Sequence, residues 1–348
     1  MTQRHPPQPD TPASAPLSVR GLLLAACDVY ALPLIVYLTL RVLSGNRLWP
    51  VALASVFIHW LLLPAIPFLI LMLLSRRWWR AALAGVNAVA FLWLFGGLFL
   101  PDLSPPPACS GPPDECLTLT VMTYNINDGN ATPDRLIPLL RESGADIIAL
   151  QEVSREQAAA LEGALLEEYP YRVLYGYGIP GIGLLSRYPI LDHELFDLVR
   201  GAFPYLEARL SVEGRTLRLI NAHPPPPGVS LTLSLAYASQ GIVDMPPLAE
   251  RATSDGPTIL AGDFNATDQS DDYAILAAAG LEDAHRTAGR GFGLTFPNGR
   301  RYRSLPLPRL VRIDYIWVTE EFRPRRAWVG ADAGSDHRPV LAELVWGE

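Results

Sequence analysis

The sequence contains no lysine; all 28 of its basic residues are arginine. Charged residues of both signs are scarce at 18%, against about 25% in an ordinary soluble domain. With only three cysteines in 348 residues, a disulfide-built scaffold is excluded. The hydrophobic fraction of 49% and the mean hydropathy of +0.18 exclude a disordered chain, a collagen-like chain and a uniformly polar soluble enzyme.

The apolar residues are concentrated in the first third. Residues 21–40 carry one charge, Asp28; residues 49–74 and 81–100 carry no Asp, Glu or Arg. A bilayer core needs about 20 apolar helical residues, and each run reaches that length, so the composition predicts three transmembrane helices within residues 21–100. Trp49, Trp78 and Trp79 lie near the ends of these runs, where interfacial tryptophan is expected. Leu24-Ala25-Ala26-Cys27 has the letters of a lipoprotein signal. The apolar run before it is about six residues, short of the roughly 7–15 of a signal peptide, which favours an uncleaved first helix.

Residues 1–20 read as a disordered, Pro-rich tail, and residues 101–116 as a stiff Pro-rich linker. Residues 117–348 have the composition of a soluble α/β domain, with 21 Arg against 30 Asp and Glu, a net charge of −9. That balance disfavours tight non-specific binding to DNA, which depends on cationic contacts to phosphate. Three spans put the termini on opposite sides. Arg76, Arg77 and Arg80 mark the loop between the second and third spans as cytoplasmic, which sends the C-terminal domain outside; Arg41 and Arg47 oppose this bias. Cys109 and Cys116 flank a short turn and are close enough to pair in an oxidising space, or they are two unpaired thiols.

Within the soluble domain, strands are expected at 117–124, 146–150, 181–186, 205–211, 215–222, 258–261, 312–318 and 339–345. Helices are expected at 133–143, kinked or shortened at Pro138, and at 154–168, near 231–254 and at 271–279. Strand after strand ends on a polar residue. If those ends share one pole, then Asn125, Asn127, Glu152, His223, Asp263, Asn265, Asp314, Asp336 and His337 meet in one cleft.

Glu152, Asn125, Asn127 and nearby Asp residues are an all-oxygen donor set, suited to Mg²⁺, with Mn²⁺ or Ca²⁺ as alternatives. No cysteine or paired histidine has zinc spacing. His223 and His337 can donate protons or hydrogen bonds to a phosphate oxygen. Asp314 can orient an imidazole and Asp263 a water. Together these are the parts of a metal-assisted phosphoester hydrolase. Taken singly, each has a plainer reading: Glu152 as a helix cap, Asn125 and Asn127 as turn residues, His223 as a loop residue before four prolines, Asp263 and Asn265 as an Asx turn. Arg300, Arg301 and Arg303 belong to an Arg-rich segment, either a solvated loop or a rim gripping substrate phosphate.

Seven segments, in order, resemble the endonuclease/exonuclease/phosphatase superfamily: Met122–Asn127, Leu150–Val153, Gly183–Arg187, Asn221–His223, Gly262–Asn265, Arg312–Ile316 and Ser335–Pro339. The resemblance implies a four-layered α/β sandwich preceded here by the three apolar helices. It implies that Glu152 is the principal metal ligand with Asn125 beside it, and that Asp263 and Asn265 orient water and bind phosphate. It further implies that His337 is the essential imidazole, partnered by Asp314, with Asp336 a further carboxylate on the metal side. His223 matches a position where some members carry a second histidine; Asn127 departs from the residue type many members have there. The implied substrate is a phosphoester: nucleic acid, a phospholipid head group or a small phosphoester. A binding or sensor module on the same fold is the alternative function. No protein partner is implied.

Overall fold

Polar strand ends can form one cleft only if the apolar strands between them stack in register, and the computed structural model shows that stacking. It describes residues 19–100, 116–198, 203–226, 234–299, 301–302 and 305–347. Residues 1–18 of the expected tail, Cys109 and nearly all of the linker lie outside the described residues; Val19 and Arg20, expected in the tail, open the first helix.

The first apolar run is one helix, α1 (Val19–Ser44), and the last forms α5 (Trp78–Phe95); both, with short extensions, are long and apolar enough to cross a membrane. The middle run departs from the expectation of a single helix. It is broken into α2 (Trp49–Val56), α3 (Ile58–Leu62) and α4 (Ala65–Leu74), with a bend of 76° at Phe57. The two interruptions have different local settings. Pro64 lacks the N–H that would continue α3 into α4. Beside the bend, the His59 and Trp60 rings turn to the Leu310 carbonyl, each 2.8 Å from it. Asp28, the one charge of the first run, receives two hydrogen bonds from Arg80, at 2.8 and 2.7 Å. That pairing offsets the cost of a carboxylate among apolar helices.

The remaining elements are, in chain order, β1 (Leu117–Asn125), α6 (Pro133–Glu142), β2 (Ile147–Gln151), α7 (Arg155–Ala164), β3 (Tyr171–Tyr175), β4 (Ile182–Ser186), β5 (Ile190–Phe196), β6 (Tyr205–Val212) and β7 (Arg215–Ala222). They continue with α8 (Ser234–Thr253), β8 (Thr258–Asp263), α9 (Asp271–Ala278), β9 (Glu282–Asp283), α10 (Ala284–Ala288), β10 (Arg301–Tyr302), β11 (Leu305–Pro306), β12 (Asp314–Val318), β13 (Phe322–Val329) and β14 (Val340–Trp346). Two six-stranded sheets run β13-β14-β1-β2-β4-β3 and β5-β6-β7-β8-β12-β9. Each has one parallel pair at its centre, β1 with β2 and β7 with β8.

The inner faces of the sheets pack on each other through Val121, Ala149 and Leu184 on one side and Ala208, Leu219 and Ala261 on the other. α6 and α7 cover the outer face of the first sheet, α8 and α9 that of the second. The architecture is therefore the expected four-layered α/β sandwich. α6 continues through Pro138 instead of ending there, with buried Leu136 and Leu140 holding it to the sheet on both sides of the proline. α7 opens on a capping box between Ser154 and Gln157 and ends at Ala164, short of the expected 168.

Candidate active site

In both parallel pairs the strands finish at the same pole. β1 ends on Asn125, β2 leads into Glu152, β7 into His223, and β8 ends on Asp263. β12 runs antiparallel to β8 and begins at that pole, so Asp314 lies in register with Asp263. β14 also starts there, and Asp336 and His337 come just before it, separated from it by Arg338 and Pro339. Thus the cleft is assembled from residues far apart in sequence by the connectivity of two sheets.

The local backbone serves these side chains. Asn127, Glu152 and Asn265 have φ of 51°, 55° and 51°, a left-handed conformation that costs a non-glycine residue free energy and recurs where strain serves a site. Gly262 is required just before Asp263, because a Cβ there would lie 1.8 Å from the Ala222 carbonyl oxygen. Under the cleft, Gln151 donates to Thr123 at 3.0 Å and to Asn221 at 2.7 Å; Asn221 donates to the Leu150 and Gly183 carbonyls at 2.9 and 2.8 Å. This buried polar network ties the two sheets together beneath Glu152 and His223.

The Asn125 amide donates to Glu152 and to Asp263, both at 3.0 Å, and its oxygen accepts the Asn127 N–H at 2.9 Å. Asn127 in turn donates to Asp336. His337 Nδ1 lies 3.0 Å from Asp314 Oδ2, and its Nε2 lies 3.6 Å from Asp263 Oδ2. His223 Nε2 sits 3.7 Å from Glu152 and 3.8 Å from Asp263. Asn265 is held by two bonds, its N–H to Asp263 at 2.9 Å and its amide to the Pro224 carbonyl at 3.0 Å.

The two histidines are driven in opposite directions. Burial lowers the pKa of His223, so this imidazole is neutral. Burial acts the same way on His337, but the Asp314 and Asp263 carboxylates outweigh it and raise its pKa to about 10. Burial also raises the carboxyl of Asp263, against the pull of both histidines. Glu152 is raised by burial first and then by the neighbouring Asp263 and Asp336 charges, against the Asn125 hydrogen bond.

Asp263, Asp314 and His337 bring potential ligand atoms within 4.8 Å of one another. An imidazolium cannot ligate a cation, so this trio is better described as a proton-holding unit. The donor set at Glu152 fits a divalent cation better. Its carboxylate is only partly buried, lies among other acidic groups and, among the described residues, has no arginine partner. Asp336 adds a second carboxylate, and the Asn125 and Asn127 amides hold Glu152 and Asp336 through their N–H groups, so the oxygen-rich set that Mg²⁺ favours is anchored on these two carboxylates.

Of the expected rim, Arg300 and Arg303 lie outside the described residues, and Arg301 falls on β10 with its side chain not described. Arg312, from the same Arg-rich segment, turns inward and pairs with Asp283 at 2.7 Å. Sequence reasoning gave no role to Ser335, which donates to the Asn125 carbonyl at 2.7 Å and accepts the His337 N–H at 3.0 Å. It also passed over Phe296 and Phe203, whose rings pack at 4.8 and 5.3 Å on His337 and His223. A serine two residues before the histidine was a local signal for the first; nothing local marks the two phenylalanines.

The profile of the Endonuclease/Exonuclease/phosphatase family matches residues 122–337. The chain belongs to that family. Its members are typically hydrolases of phosphoester bonds, and the chain has their fold. The family member from Beutenbergia cavernae DSM 12333 superposes with a TM-score of 0.53 at 20% identity, over 66% of this chain and 72% of that one. D. rerio TDP2, solved with a single-strand DNA product, gives 0.52 at 17% over 65% and 98%. By sequence the chain is similar to the uncharacterized protein YbhP of Escherichia coli strain K12, 27% identical over 263 residues, 64% of this chain and 95% of that protein. At these identities the structural likeness speaks for the fold.

Proposed function

We propose that the protein is a membrane-anchored, divalent-metal-dependent phosphoester hydrolase in which water attacks phosphorus. The observation that carries this reading is the His337–Asp314 pair facing Asp263 across the pole where β1, β2, β7 and β8 end. Glu152, with Asn125, Asn127 and Asp336, would hold the cation, which supplies positive charge to the phosphoryl oxygens when bound. Asp263 orients the attacking water and accepts its proton; its raised pKa makes it the stronger base. As the new P–O bond forms, the ester P–O bond breaks with its electron pair on the leaving oxygen, which takes up a proton from solvent, and imidazolium His337 donates a hydrogen bond to the charge developing on the phosphoryl group. Asp314 fixes the orientation of His337 and stabilises its imidazolium. Asn265 and neutral His223 position the phosphate, and Arg300, Arg301 and Arg303 form the rim that binds the rest of the substrate.

The membrane part of the reading is supported by the course of the helices. α1 and α5 are parallel: Asp28 meets Arg80 near their first halves. Near their C-terminal ends both meet the hydrolase domain, through Arg41 with Gln269 at 3.2 Å and Arg286 with the Leu94 carbonyl at 2.6 Å. The chain from 49 to 74 must therefore return to the far side, which supports a three-crossing, multi-pass anchor with termini on opposite faces. Arg41, which counted against an external hydrolase domain, is engaged with Tyr37, Ser55 and Gln269 at this seam. Cys116 is disulfide-bonded and Cys27 is free; a disulfide persists in an oxidising space and supports an extracytoplasmic domain.

The test is hydrolysis by the purified full-length protein of DNA, RNA, phospholipids and phosphate monoesters, with and without EDTA. Activity should vanish in EDTA and fall by about a hundredfold or more in His337→Ala and Asp263→Ala, with melting temperatures close to wild type. Full turnover in EDTA, or by folded His337→Ala, sinks the mechanism.

A further inference from the structure

A cavity lies outside the catalytic cleft but next to it. Its volume is about 500 Å³, within the size range of ligand sites. It lies between α10 and β13, and its walls include Arg290, Arg309, Arg326, His285, Phe292 and Trp328. Among the described residues, no acidic side chain lines it. Three guanidinium groups without a carboxylate are unexpected in a domain that carries 21 Arg against 30 Asp and Glu.

Four arginines elsewhere in the domain are matched to carboxylates, Arg312 with Asp283, Arg218 with Glu207, Arg187 with Asp146 and Arg325 with Glu343, while Arg172, Arg323 and Arg338 donate to backbone carbonyls. Arg309 and Arg326 have no acidic partner among the described residues. Arg326 lies over the Trp328 ring at 4.6 Å, and the Arg309 charge, after burial, lowers the pKa of its neighbour Arg338. Among the described residues Arg290 donates to a backbone carbonyl, that of Leu100 at 2.6 Å. Like charges held together without a counter-charge are destabilising unless an anion joins them.

The anion's source follows from where the cavity lies. Phe292, one of its walls, packs on His59, Trp60, Phe91, Phe95 and Phe99 of the apolar helices, at 5.0 to 6.3 Å between ring centroids. Leu100, which receives the Arg290 hydrogen bond, follows the end of the last of those helices. Just before Arg309 on the chain, Leu305 and Leu307 are 70% and 36% exposed. Cations beside exposed leucines at the end of an apolar helix match the headgroup level of a bilayer. We propose that this cavity binds the phosphate of an anionic phospholipid headgroup, with Arg290, Arg309 and Arg326 as its ligands and Phe292 and Trp328 as its apolar walls.

Such a lipid would sit beside the reacting centre. Gly293 and Leu294 also line the cavity, and they lead directly to Phe296, whose ring packs on His337. On the opposite wall, Val329 pairs with Val340, the third residue after His337. A headgroup held there anchors the hydrolase domain to the membrane surface at the edge of its catalytic cleft. The site rests on the reading of α1–α5 as membrane segments, and insertion into nanodiscs tests that reading separately.

The experiment is native mass spectrometry of the full chain released from nanodiscs of phosphatidylcholine mixed with phosphatidylglycerol. Insertion without retained lipid would refute the site and leave the membrane reading intact. Wild type should retain phosphatidylglycerol in preference to phosphatidylcholine. Arg309→Gln/Arg326→Gln should lose about tenfold or more of that preference. Ala288→Glu, which places a carboxylate in the cavity wall, should lose it as well; Arg325→Gln, whose guanidinium pairs with Glu343, should keep it. Melting temperatures establish that each variant is folded, and the second variant decides if the first is not. Equal retention by wild type and either folded variant overturns the proposal. So does displacement of the lipid by millimolar inorganic phosphate, which would assign the cavity to a soluble anion.

Discussion

His337 is held between two carboxylates, with Nδ1 3.0 Å from Asp314 Oδ2 and Nε2 3.6 Å from Asp263 Oδ2. The geometry is asymmetric: one side is a hydrogen bond, the other a gap beyond hydrogen-bond length. Asp314 is fully buried and in register with Asp263 on the neighbouring strand, so both contacts to the imidazole are set by one β-ladder.

That pairing makes Asp314→Asn an informative variant. It preserves shape and removes the charge that does most to keep His337 protonated. The expected result is a fall in kcat of about tenfold to a thousandfold, with the alkaline limb of the pH–rate profile moved to lower pH. A profile unchanged in shape would mean that Asp314 is only a packing residue.

Neutralising Arg300, Arg301 and Arg303 together should raise KM more than it lowers kcat, because contacts to the remote part of a substrate form before the transition state as well as in it. Steady-state kinetics on each hydrolysed substrate give the split. KM unchanged for all of them would reduce the segment to a solvated loop.

His285 predicts an acid limit to stability. Burial comes first and the nearby Arg312 charge second in lowering its pKa from 6.5 to about 4. The folded state thus resists protonation that the unfolded chain accepts. The sign follows: the contribution is complete above pH 6.5 and is lost as pH falls from there towards 4, by roughly 3 kcal/mol in all. Melting temperature against pH should therefore fall more steeply for wild type across this interval than for a folded His285→Gln variant. Parallel curves would refute the linkage.

Orientation can be tested on intact cells, or on spheroplasts where the host has an outer membrane. Protease added from outside should cleave the linker and release residues 117–348, while the loop carrying Arg76, Arg77 and Arg80 stays protected. Protection of the hydrolase domain until the membrane is opened would reverse the assignment.

The strands that sequence reasoning placed and those it overlooked differ in one physical respect. β1, β2, β4, β7, β8, β12 and β14 lie inside the sheets, and their apolar runs are continuous enough to read directly. The long strands that went unread, β3, β5 and β13, are all sheet edges. β5 carries Asp192, His193 and Glu194, and β13 carries Pro324 beside three arginines. Such residues suit an unpaired edge and disguise it as a loop. The Arg-rich segment shows the complementary failure. Seven arginines between 286 and 312 look alike in sequence, yet Arg312 is a buried ion-pair member, Arg286 reaches the Leu94 carbonyl and Arg309 has no acidic partner among the described residues.

By itself the sequence determined the apolar first third, the α/β composition after Leu117, and the family motifs with their candidate chemistry. Each depends on residue type and short-range spacing, which are local properties. Tertiary structure alone decided the bend at Phe57, the parallel course of α1 and α5, the burial of Arg312 against Asp283, and the opposite protonation of His223 and His337. Those depend on groups distant along the chain, and their free energies arise only when folding removes water and brings the partners within a few ångströms of each other.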